Sequence, residues 1–106
     1  MSGESPAFGY TLVYVSDVAA TLAFWGDAFG CTTRFAHPSG EYGELATGAT
    51  KLGFASHATA GSHGFPYTPL RPSDPPPGME VGLVTDNVHD AFAKAVAAGA
   101  TPVAEL

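Results

Sequence analysis

Six of the nine prolines sit close together, at positions 66, 69, 72, 75, 76 and 77. The stretch around them, residues 58–78, reads ATAGSHGFPYTPLRPSDPPPG. Proline has no N–H to give to a ladder, and it pushes the residue before it out of the helical region. The stretch is therefore expected to be an extended linker, neither helix nor inner strand. It divides the chain into a first part, residues 8–57 with a short leading tail, and a second part, residues 79–106.

The first part opens on YTLVYV at residues 10–15, a β-branched and aromatic run of strand length. Asp17 is a good helix cap. Val18, Leu22, Trp25 and Phe29 then recur at spacings of four, three and four, which is one face of an amphipathic helix. That face assigns Trp25 to core packing. Gly30 stands where a terminating glycine belongs. Strand-like pieces follow at 32–36, 42–47 and Lys51–Ser56, with turns expected at 38–40 and 48–50. The order is β-α-β-β-β.

The second part begins the same way. Residues 79–85, MEVGLVT, have strand character, and Asn87 with Asp90 resembles a capping box with a shortened acid. Val88, Phe92, Ala95 and Gly99 repeat the four-three-four spacing, and 101–106 looks like the start of another strand. At an offset of 70, Val18 falls on Val88 and Tyr10 on Glu80. Identities are few, but the shared element order points to two copies of one supersecondary unit. The second copy is unfinished on this reading. Roughly 20–30 residues, about two strands, are wanting, either absent from this chain or supplied by another. An open sheet edge would otherwise be exposed.

With 106 residues, 45% hydrophobic and 13% charged, the chain suits a single globular core. Four basic against ten acidic residues give a net charge of −6. Nucleic acids and anionic membranes both want a basic face, so neither is an expected partner. Cys31 is the single cysteine, which excludes an internal disulfide, and it is expected to be a buried, inert thiol. Neither a signal peptide nor a membrane span is legible, and a cytoplasmic location is the expectation.

The residues Tyr10 to Val18, Leu22 to Trp25 and Phe29-Gly30 together resemble the opening of the glyoxalase/bleomycin-resistance/dioxygenase (vicinal oxygen chelate) superfamily. Glu80 to Val88, with Ala91 to Thr101, is similar to the opening of that family's second module. The family's closing segment, an Asp-Pro-x-Gly turn and a strand, has no counterpart here. The resemblance implies an α+β fold in which paired βαβββ modules form curved mixed sheets around a cleft, here with the second module incomplete. It also implies a homodimer. Its enzyme branches would place metal ligands at Tyr10, near Gly53, at Glu80 and in the wanting tail. Of these only Glu80 is a good donor, so a divalent metal is not expected as a cofactor. The alternative is a metal site built from His57, Glu80 and a donor beyond Leu106.

Strand alternation sends Thr11, Val13 and Val15 toward the helix and Tyr10, Leu12 and Tyr14 toward the cleft. Glu80 and His57 join the cleft side by the same parity. Phe65 and Tyr67, in the linker, either cover the cleft as a flap or pin the loop down. Tyr10 and Tyr14 are either pocket wall or core filler. The expected function is metal-free binding of a small molecule, a cationic or aromatic antibiotic-like compound, with Glu80 and the tyrosine faces as its partners. The alternative is a metal-dependent glyoxalase-like lyase or isomerase, or a dioxygenase. A member without any ligand is the third reading.

Overall fold

The computed structural model describes residues 5–104. Its elements run β1 (Tyr10–Val15), α1 (Val18–Phe29), β2 (Thr33–Ala36), β3 (Tyr42–Leu45), β4 (Lys51–Ser56), α2 (His57–Gly61) and α3 (Val88–Ala97). The four strands form one open mixed sheet in the order β1-β4-β3-β2. β4 lies parallel to β1 and antiparallel to β3, while β2 runs antiparallel to β3 along the far edge. The fold is α+β, and residues 10–61 are the βαβββ unit read from the sequence plus a helical turn.

Helix α1 forms where the periodicity put it. The Asp17 side chain accepts from the Ala20 N–H at 2.9 Å, and Gly30 closes the helix at φ 70°. A side chain at that φ would be strained, so glycine is the residue that fits. Val18 and Leu22 meet Leu45, Leu52 and Phe54 of the sheet in a single buried cluster, with Val13, Val15, Trp25 and Cys31 packed around it. Trp25 lies 5.9 Å from Phe54, ring to ring, and so belongs to the core. Cys31 is half-buried at its margin.

Gly43 of β3 is where helix and sheet come closest. A Cβ there would stand 2.6 Å from Leu22 Cδ1 and 3.3 Å from Val18 Cγ1. A missing side chain thus lets α1 lie directly on the strand.

Three expectations are corrected. Residues 79–85 have strand composition but form no strand. The counterpart of this segment, β1, is held along its whole length by β4, and among the described residues nothing in the second copy corresponds to β4. A lone strand leaves its ladder groups to water and gains nothing from extension. The strand expected at 101–106 is likewise absent over 101–104, and its last two residues lie outside the described range. The stretch 58–78 is not extended throughout, because α2 occupies its start. Ser56 caps that turn by accepting from the Thr59 N–H at 3.1 Å, and the prolines begin only after it ends. From Phe65 onward the segment is irregular, as the prolines require.

Helix α3 forms as expected. Asn87 Oδ1 accepts from the Asp90 N–H at 3.1 Å, while Asn87 Nδ2 donates to Asp90 Oδ2 at 2.7 Å. The shortened acid therefore grips the cap's side chain rather than its backbone. With no sheet of its own, α3 packs against α1 and buries Ala95. No described helix is long and apolar enough to cross a membrane.

The Gly43 contact yields a prediction. Gly43→Ala should destabilise the fold by about 1–3 kcal/mol through overpacking against Leu22, and its added cost should be smaller when it is made in a Leu22→Ala background. Urea denaturation followed by circular dichroism measures both.

Candidate functional site

Alternation along the strands separates two faces. Val13, Leu45, Leu52 and Phe54 point to α1. The opposite face carries Tyr10, Leu12 and Tyr14 of β1, Lys51, Gly53 and Ala55 of β4, and Tyr42 and Glu44 of β3. Register places Leu12, Gly53 and Glu44 side by side across three strands. A Cβ at Gly53 would lie 3.2 Å from Tyr42 Oη and 3.4 Å from Leu12 Cδ1. The glycine is buried, and the Tyr42 and Leu12 side chains close over it to form the surface of the face.

Glu44 is the only acidic residue in the four strands, and it is buried, 6% exposed. Tyr42 Oη donates to its Oε2 at 2.6 Å, and Arg34 Nη1 donates to its Oε1. The Tyr42 hydrogen bond is the main reason its carboxyl titrates below the ordinary glutamate range. Burial pulls the other way and is outweighed, with help from the positive charges of Arg34 and Lys51. The same hydrogen bond, together with burial, pushes the Tyr42 phenol up to about 12.

A bulge between Thr33 and Phe35 explains how Arg34 reaches this face. In a bulge two residues oppose one, so side-chain alternation is interrupted. Arg34 bonds Glu44, and the neighbouring Phe35 ring lies 6.3 Å from that of Tyr42.

A second cluster gathers at the other side of the face. Tyr67, from the proline-rich segment, lies 5.2 Å from Tyr14 between ring centroids, and its hydroxyl is 2.7 Å from His57 Nδ1. Phe65 stands 6.3 Å from Tyr67. His57 Nε2 is buried and has no hydrogen-bond partner among the described residues. His57 is the first residue of α2 rather than the strand-end residue that alternation assumed.

The sequence-derived candidates thus divide. Tyr14, His57 and Tyr67 are brought together, with Phe65 at their margin. Leu12 helps to cover Gly53, while Tyr10 is largely exposed at the start of β1. Glu80 is exposed in the unpaired segment, and no recorded hydrogen bond or ion pair links it to His57. The residues do not fit a metal centre. No three of His, Cys, Asp and Glu converge among the described residues. Both oxygens of Glu44 are engaged, and the guanidinium on one of them would repel a divalent ion.

Tyr42, Glu44 and Arg34 went unnoticed as site residues in the sequence. The i, i+2 pairing of Tyr42 with Glu44 inside an expected strand was the available signal. The bulge that turns Arg34 inward left none.

A depression of about 770 Å³ lies elsewhere, between the proline-rich segment and the start of α1. Its walls include Val15, Phe24, Leu70 and five prolines. Asp17 on its rim is already spent on capping α1. It has no buried polar group to orient a ligand, whereas the sheet face has one in Glu44.

Because the Glu44 pKa is lowered on folding, its contribution is present above the ordinary glutamate range and is lost as pH falls through the lowered value. Glu44→Gln should cost about 1–3 kcal/mol at neutral pH and flatten the acid limb of a stability–pH curve. Urea midpoints between neutral and acid pH test this.

Comparison with known proteins bears on the fold. A gene product of Arabidopsis thaliana is similar over 97% of this chain and 80% of its own, at 20% identity and a TM-score of 0.61. An integron cassette protein of Vibrio cholerae is similar over 99% and 77%, at 17% identity and a TM-score of 0.62. A glyoxalase/bleomycin resistance protein/dioxygenase family enzyme from Burkholderia phytofirmans PsJN is similar over 89% and 74%, at 19% identity and 0.58. No curated protein matches the chain. The family model for the Glyoxalase/Bleomycin resistance protein/Dioxygenase superfamily matches residues 7–106. Nearly the whole chain is spanned by that match, and the protein belongs to this superfamily.

Proposed function

We propose that the protein binds a small molecule with a flat, aromatic or apolar body on the open face of its sheet, without a metal. The observation that carries this reading is Tyr67 laid on Tyr14 and hydrogen-bonded to His57. A side chain from the proline-rich segment thereby extends the aromatic wall of the open face. Such a face offers stacking area together with a few fixed polar groups, which is how small-molecule sites are built. The cationic ligand expected from Glu80 loses its support, because Glu80 lies in the unpaired segment.

Amide chemical-shift mapping tests the reading. A panel of aromatic compounds, cationic, neutral and anionic, should shift residues on β1, β3 and β4 around Leu12, Tyr14, Tyr42 and Gly53. Tyr67→Ala and Tyr14→Ala should each weaken binding by about fivefold or more, in line with the loss of one ring contact. Shifts confined to the groove beside α1 would overturn it. So would near-stoichiometric zinc, nickel, manganese or ferrous ion retained after desalting and lost in His57→Ala or Glu80→Ala. That result would replace it with a metal-dependent lyase or dioxygenase.

The homodimer is proposed on the same footing. Met79, Val81, Leu83 and Val84 are exposed in a segment of strand composition, and β1 is an edge of the sheet. A second copy that covers them would remove apolar surface from water. Light scattering at micromolar concentration should give twice the chain mass, and Leu83→Asp should lower it. A monomer mass for the unaltered chain would sink the idea.

A further inference from the structure

The four strands contain three charged residues, Arg34, Glu44 and Lys51, and all three lie on the open face. Lys51 shares the parity of Gly53, and its charge reaches Glu44. Two cations against one carboxylate leave this face with an excess positive charge, in a chain whose net charge is −6. Half of the four Lys and Arg residues are committed to it.

The arrangement holds one of these cations ready. Glu44 is buried and cannot stand unpaired, so Arg34 is anchored to it through a single nitrogen. The Arg34 side chain nevertheless remains 54% exposed. Among the described residues no other acceptor engages its guanidinium. A guanidinium has five N–H groups in a planar fork, so donors are left for a ligand after the bond to Glu44 is made. Tyr42 occupies the other carboxylate oxygen and keeps Glu44 from turning away. One cation would be enough to neutralise Glu44, and this face carries two.

We propose that the ligand of this face is a small organic anion. Its carboxylate or phosphonate group pairs with Arg34 and Lys51, and its apolar body lies against the Leu12 and Tyr42 side chains that cover Gly53. This rests on the reading of the sheet face as a small-molecule site and names the class that the site takes. A carboxylate or phosphonate matches the planar fork in a way that a point cation or a neutral group does not.

The test uses four probes of one shape on the full chain: phenylacetate, phenylphosphonate, neutral phenylacetamide and cationic phenethylamine. Amide shift mapping locates each, and titration gives its affinity. The two anions should bind at the sheet face about tenfold or more tighter than the amide or the amine, as a charge-assisted pair implies. Their affinity should fall as salt is added. Lys51→Met should lower phenylacetate affinity more than phenylacetamide affinity. Arg34→Lys keeps a charge beside Glu44, so the fold is spared, and should lower the affinity for both anions. Amide and amine binding as tightly as the anions at the same residues would overturn the anion assignment and leave the sheet-face reading standing. No shifts on the face with any of the four would overturn both.

Discussion

The pairing of β4 with β1 is the interaction on which the rest of the molecule depends. It is the one parallel pair in the sheet, and six consecutive residues of each strand are in register. Parallel neighbours need a long crossover, and here α1, β2 and β3 supply it. β4, like β3, has partners on both sides, and its residues from Leu52 to Ser56 are all buried. One side of it gives Leu52 and Phe54 to the core. The other gives Gly53 and Ala55 to the open face. Core and candidate site are thus two sides of a single strand, and both depend on its place in the sheet.

The same pairing explains what was legible in the sequence and what was not. Tyr10–Val15, Val18–Phe29 and Lys51–Ser56 were read with their observed bounds because local chemistry and tertiary pairing agree there. Asp17 caps, Gly30 terminates, and the apolar spacing meets a sheet that is present. Residues 79–85 carry equally good local signals and form nothing, because strand propensity describes a fit to neighbours that this segment lacks. Local capping, by contrast, needs no distant partner, which is why α3 appeared as expected. Part of the site was legible through alternation, namely Leu12 and Tyr14. The Arg34 contact was hidden, since it depends on a bulge that neither periodicity nor composition marks.

Electrostatically the chain is divided in a way that its net charge conceals. An acidic sequence suggested a cationic ligand. The acidic residues, however, sit largely in loops and caps, where Asp17 and Asp90 serve helix ends. Within the strands the balance is reversed. Net charge speaks to solubility and to long-range steering, whereas the preference of a site is set by the few groups whose positions are fixed.

The bulge in β2 has a consequence of another kind. β2 is an edge strand, bonded on one side only, and none of its residues is buried. The cation that the open face presents is therefore carried by an edge of the sheet outside the apolar core, and its tie to the interior is the buried Glu44 with which it pairs. Gly53 and Leu45, deep in the sheet, are bound to the packing of the whole. An edge strand answers to one neighbour only, so substitutions along it reach the interior through β3 alone. The scaffold thereby sets the rim that meets a ligand apart from the packing that holds the sheet. New ligand preferences are open to such a chain through drift along that rim, provided a cation is kept for Glu44.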